Sequence, residues 1–307
     1  MSVADMVDTS PLKTRPVEPT FMDTLKAYVA LTKPRIAVML VFTAAAAMVV
    51  AAGGVPEWRH ALLGLIGLVL SAGGSAAVNM WYDRDIDAVM SRTSRRPLPA
   101  GVIAPGRALA FGLALGLASV LVLGFGVNWL TAGLCLAGYV YYAWFYTMVL
   151  KRHTPQNIVV GGGAGSFPPL VGWAAVTGHV SLTAWLMFAV IFLWTPPHFW
   201  ALALYKNADY KRAGVPMMPV SRGSRTTKRQ MSVYAVLLLA ASLALLPSVH
   251  AKLIYAAVAV IQGGAFLVIN LRLLAAPDDE MKWAKRTFFA SLLYVPAIFL
   301  AIVLCQF

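Results

Sequence analysis

The stretch ALLGLIGLVLSAGGSAAVNMWYDRDID, residues 61–87, runs apolar for its first part and then turns abruptly acidic. Residues 61–82 carry no charged side chain, and about 20 apolar residues suffice for a helix to cross a bilayer. Eight further windows qualify, at 34–53, 107–126, 129–149, 156–176, 182–204, 231–249, 253–274 and 287–306. Composition agrees with this pattern. The 307 residues are 60% hydrophobic and only 12% charged, against about 25% charged in an ordinary soluble domain. The expected fold is an all-α integral membrane bundle of nine transmembrane helices, occupying residues 31–307 behind a cytoplasmic tail of residues 1–30.

The formal charge of +13 does not call for a nucleic-acid partner. Placing the N-terminus inside puts every Lys and Arg except Arg59 and Lys252 on one side of the membrane, the asymmetry of cytoplasmic loops. An N-in, C-out topology follows. Asp5, Asp8, Glu18 and Asp23 in the tail argue against a secretory signal or a transit peptide. The expected location is therefore a bacterial-type inner membrane. Cys135 and Cys305 lie in separate apolar windows, match no metal spacing, and read as buried structural thiols.

Asn79, Asp83 and Asp87 recur every fourth residue, so on a helix they form one polar stripe about 12 Å long. Unpaired carboxylates at the end of a membrane span are costly. A hard divalent cation such as Mg²⁺, which takes one or two carboxylates and completes its shell with water and phosphate oxygens, would relieve that cost. Arg92, Arg95 and Arg96 follow within a few residues. Alone they read as positive-inside charge; beside the acids they suit a polyphosphate, whose oxygens match guanidinium forks. At the end of the sixth window Lys206 and Asp209 repeat the theme. Two readings stand for Asp209, a plain loop acid or part of a second metal site that grips the other end of a pyrophosphate.

His198 sits within a span beside Pro196 and Pro197, and His153 follows Lys151 and Arg152 in a polar loop. Both are candidate ligands, although a satisfied core histidine and a surface charge are the plainer readings. The run Gly161–Gly165 ahead of Pro168 and Pro169 should interrupt the fifth span. Such a break is tolerated only in protein or beside a cavity, so a cavity is expected there. Trp81, Trp194 and Trp200 offer aromatic faces to a cation.

With its downstream RTSRRPLP, the N-x-x-x-D-x-x-x-D stripe resembles the first motif of the UbiA superfamily of intramembrane prenyltransferases. Four further stretches are similar to its haem-farnesylating branch: Leu31–Ile36, Tyr146–His153, Asn157–Trp173 and His198–Val220. The likeness covers about residues 25–306. It implies a nine-helix bundle around a central cavity, with protohaem IX and farnesyl diphosphate as substrates and Mg²⁺ as cofactor. By that resemblance Asn79, Asp83, Asp87 and Asp209 hold metal and Lys206 joins the catalytic set. Arg92, Arg95, Arg96, Lys151 and Arg35 hold diphosphate, while His198, His153 and Trp200 are haem-binding candidates. Relatives acting on quinone precursors carry more acids in the second motif than the single Asp209 here, which favours the haem branch. A downstream haem-modifying enzyme or a second copy of the chain are conceivable partners. The competing expectations are a prenyltransferase for another aromatic or tetrapyrrole acceptor, and a transporter. A transporter would explain broken helices but has less use for acids and arginines gathered at one face.

Overall fold

The computed structural model describes residues 20–307. Every regular element among them is helical: α1 (Phe21–Leu31), α2 (Pro34–Ala52), α3 (Trp58–Tyr82), α4 (Arg84–Val89), α5 (Pro105–Gly126), α6 (Trp129–Val140), α7 (Asn157–Gly161), α8 (Gly163–Ser166), α9 (Pro168–Thr177), α10 (Leu182–Tyr205), α11 (Asn207–Arg212), α12 (Met218–Leu243), α13 (Lys252–Ala275) and α14 (Lys282–Leu304). A π-helix at Tyr141–Leu150 prolongs α6. Among the described residues nine helical stretches have the length and hydropathy of a span, each overlapping one expected from the sequence.

Of the expected tail, residues 1–19 lie outside the described residues. The remainder is α1, opened by a capping box in which Thr20 and Asp23 exchange hydrogen bonds. This helix lays Ala27 and Leu31 against Ala77 and Met80 of α3. Residues 218–230, expected in the loop before the seventh span, are instead the first turns of α12, bent at Gly223 (φ 79°). Hydropathy marks where a helix enters the apolar slab and is blind to where its backbone bonding begins. The polar turns are held by their own side chains. Lys228 is fully buried and donates to the Ala276 and Pro277 carbonyls and to Asp278, each at 2.9 Å, and Arg225 donates to the Leu274 carbonyl.

The spans close into a ring, each packing on the next in chain order and α14 returning to α2. Lipid tails are as apolar as leucine, so close backbone approach through small residues does much of the work of holding such helices together. Gly74 and Gly112 face each other where α3 crosses α5; a Cβ on Gly74 would fall 2.6 Å from the Gly112 carbonyl oxygen. Gly172 of α9 lies tighter still, its virtual Cβ 2.3 Å from the Ala44 oxygen of α2. The fifth span is divided into α7, α8 and α9, as its glycines and prolines imply. The cavity expected there is not what most of those glycines serve. Gly161 and Gly163 admit the rings of Tyr146 and Tyr141, and Gly162 packs on Thr195; only Gly165 has open space beside its Cα. Both cysteines are buried free thiols.

Gly172→Ala should destabilise the bundle by about 1–3 kcal/mol through overpacking against backbone, lowering the unfolding midpoint in detergent. Gly165→Ala, with nothing within 4 Å, should leave that midpoint unchanged or slightly raised. Equal midpoints for the two variants would contradict this account of the α2–α9 contact.

Candidate active site

Asp83 ends α3 and begins α4, yet the stripe survives this joint. The Asp83 amide donates to the Asn79 carbonyl at 2.9 Å, and the Asp87 amide to the Asp83 carbonyl at 2.8 Å, so helical spacing runs through it. Asn79, Asp83 and Asp87 are all buried, Asp83 completely. Negative charge is unfavourable at a helix C-terminus, but the joint places Asp85 and Asp87 in the first turn of α4, where it is favoured.

Each buried acid is met by a base from elsewhere in the chain. Lys151 and Arg152 reach Asp83 from the end of the π-helix, and Arg152 also grips Asp85 through both terminal nitrogens at 2.7 and 2.8 Å. Those bonds hold the Asp85 carboxyl below its usual range. Arg96 pairs with Asp87 at 2.6 Å, and Thr93 donates to the Asp87 carbonyl. Lys33 enters from the start of α2 and donates to the Asn79 side-chain oxygen at 2.8 Å and to the Tyr142 hydroxyl at 3.0 Å. The network fixes the amide of Asn79: the oxygen faces the donors Lys33 and Tyr142, while the nitrogen donates to Asp83 at 2.8 Å and Thr147 at 3.0 Å. Only this orientation satisfies both an ammonium and a carboxylate.

The π-helix sets this geometry. Its wider register bonds the Lys151 amide to the Tyr146 carbonyl five residues back, and Thr147 spans the same interval to the Tyr142 carbonyl. Tyr142 and Tyr146 then stack, rings 5.6 Å apart and 9° from parallel, while Thr147 and Lys151 come to Asn79 and Asp83. Segments of this kind are frequent at functional sites. Sequence reasoning missed Lys33, Tyr142 and Thr147. The chain's own signal for Lys33 is the Pro34 that follows it; the structure then holds Lys33 in the left-handed region with φ 51°, a conformation costing about 1–2 kcal/mol.

The remaining candidates divide. Arg92 is exposed; Asp209 accepts from Ser91 at 2.5 Å and from Arg212, and Arg212 donates to the Val89 carbonyl, so the segment after α4 meets α11 beside the acid stripe. Arg35, Arg95 and Lys206 are exposed and take no part in the cluster of ion pairs. His153 is exposed, its Nδ1 beside the Val149 carbonyl. His198 is buried, 2.6 Å from the Ser291 hydroxyl and stacked between Trp194 and Phe288. Trp200 is wholly enclosed in the core against Tyr234. Trp81 lies beneath Arg84.

Counted together, Lys33, Arg92, Arg96, Lys151, Arg152 and Arg212 outnumber Asp83, Asp85, Asp87 and Asp209, so this end of the bundle carries surplus positive charge suited to a polyanion. Among the described residues no three acids, histidines or cysteines converge to hold a metal by themselves. Asp83 and Asp87 nevertheless supply the one or two carboxylates that Mg²⁺ ordinarily takes before water and substrate phosphate complete its shell. The donor set fits such an ion, shared with an anionic ligand.

A nine-span helical bundle with a buried acid stripe and convergent bases at one mouth is the architecture of an intramembrane prenyltransferase. The chain belongs to the UbiA prenyltransferase family, whose model matches residues 40–293. It is 53% identical over 280 residues to the protoheme IX farnesyltransferase of Symbiobacterium thermophilum, an alignment covering 91% of this chain and 94% of that one. It is 49% identical to the protein of that name from Rhizobium etli, over 90% and 88% of the two chains. Among solved structures, a digeranylgeranylglyceryl phosphate synthase superposes with a TM-score of 0.78 at 18% identity, covering 93% of this chain and 99% of that one. A UbiA homolog from Archaeoglobus fulgidus bound to GPP and Mg²⁺ superposes at 0.65 and 17% identity, covering 90% and 99%.

Arg96→Gln strands Asp87 in the protein interior and should cost about 3 kcal/mol, read as a lowered unfolding midpoint. Adding Asp87→Asn should recover most of that loss. A double variant no more stable than the single one would show that the pair is not what holds the loop.

Proposed function

We propose that the protein transfers the farnesyl group of farnesyl diphosphate to a vinyl group of protohaem IX, with addition of water, to give haem O and pyrophosphate. The observation that carries this reading is the fully buried Asp83, held by Asn79, Lys151 and Arg152 in a surplus of positive charge, in a chain about half identical to protoheme IX farnesyltransferases. The positive-inside rule supports a cytoplasmic mouth in a bacterial inner membrane.

Asp83 and Asp87 would hold Mg²⁺, with Asn79 orienting Asp83. The bound ion would neutralise charge building on the departing pyrophosphate. Lys33, Arg96, Lys151 and Arg152 share that task, as cations already fixed where the negative charge appears, with the exposed Arg92 close by in the same loop as Arg96. Asp209 steadies the second loop through Ser91. Breaking the carbon–oxygen bond leaves an allylic cation that water would quench, so the apolar bundle beneath the mouth protects it. The stacked rings of Tyr142 and Tyr146 are well placed to favour that cation. The vinyl group of the acceptor attacks it, water adds to the cation formed next to the macrocycle, and one proton is released.

Asp83→Asn keeps the shape of the side chain and should lower haem O formation by at least about a hundredfold while the protein still inserts, followed by mass spectrometry of extracted pigment. A variant retaining near-normal turnover removes Asp83 from the chemistry. Stripping divalent cations with a chelator should stop the wild-type reaction and added Mg²⁺ restore it; turnover indifferent to chelation would refute the metal.

A further inference from the structure

A polar hollow of about 390 Å³ is lined in part by residues 154–156, a few residues beyond the Lys151 that meets the acid stripe. Thr154 and Gln156 form one wall, and Met218, Arg222, Thr226 and Gln230 of α12 form the other. Arg222 and Thr226 lie on either side of the bend at Gly223 and both line the hollow. Among the described residues the side chains of Gln156, Arg222, Thr226 and Gln230 make no hydrogen bond to the rest of the protein, and no carboxylate lines the hollow. A guanidinium among amides and hydroxyls is a set built to receive an anion. With no acid present, the hollow has no ligand for a metal ion, and its single guanidinium matches one carboxylate group.

A short run of chain joins the hollow to the acid stripe. Asn157 donates to the Lys151 carbonyl at 3.4 Å, and the Lys151 ammonium pairs with Asp83. We propose that the hollow seats a propionate carboxylate of the acceptor porphyrin, with Arg222 as its ion-pair partner and Gln156, Thr226 and Gln230 as hydrogen-bond donors. This rests on the haem-prenylating reading and names the acceptor's anchoring point. The vinyl groups of protohaem lie across the macrocycle from the propionates. Anchoring the acid edge beside residues 154–156 therefore sets how far the reacting edge extends toward the bound diphosphate, a positioning effect of the kind that accelerates bimolecular steps.

The test is direct binding of protohaem to the purified full-length protein, followed by its absorbance, beside steady-state turnover. Arg222→Ala should weaken protohaem binding roughly tenfold, the loss expected for a charged hydrogen-bond partner, while the KM for farnesyl diphosphate stays the same. Protohaem dimethyl ester should bind the wild type as weakly as protohaem binds Arg222→Ala, and should lose nothing further in that variant. Thr226→Val with Gln230→Leu gives an independent variant that keeps the charge and should weaken binding less. Equal affinity of wild type and Arg222→Ala for protohaem, or an equal penalty on farnesyl diphosphate, overturns the proposal. Because binding is read without turnover, a wild type that binds protohaem yet forms no product counts against the transferase reading alone.

Discussion

A carboxylate with no exposure to solvent, at the end of a membrane span, has to be neutralised within the protein, and Asp83 organises its surroundings on that account. Lys151 and Arg152 approach it from the fourth span and Asn79 from its own helix, while Asn79 is tied to Lys33 of the first span and to Thr147. Three elements are thereby fixed at one point. A network this densely paired is stiff, and removing any one member leaves a neighbour stranded in low dielectric.

The backbone bends to serve this network. A regular α-helix through 141–150 would carry Thr147 and Lys151 round to different bearings; the π register delivers both to the stripe and stacks Tyr142 on Tyr146. Lys33 reaches the same point from a left-handed conformation ahead of Pro34. Both departures from regular geometry occur where charge is gathered, whereas the rest of the bundle is assembled by close contacts of small residues such as Gly74 with Gly112 and Gly172 with Ala44. Strain is concentrated where it positions chemical groups.

The two polar loops serve different ends. The loop after α4 supplies Arg92 and Arg96 and is joined by Ser91 to Asp209 of α11, beside the cluster of ion pairs. The polar start of α12 is instead pinned to the far end of α13 by Lys228 and Arg225. That attachment holds the bend at Gly223 and with it the wall of the polar hollow. Charged residues that look alike along the chain are thus divided between the chemistry and the support of helix ends.

The nine spans and the acid stripe were legible in the chain itself, because a bilayer demands long apolar runs and a helix repeats its face every fourth residue. Those are local rules. Which base answers which acid is not local: Lys33, Lys151 and Arg152 meet the stripe only after the first, second and fourth spans are packed, and the exposed Arg35, Arg95 and Lys206 carry the same charge without joining it. The packing of the glycine run against tyrosine rings, the burial of Trp200 and the helical start of α12 were likewise decided by tertiary structure. The physical reason is that pairing and burial depend on distances between segments remote in the chain, which periodicity and hydropathy do not encode.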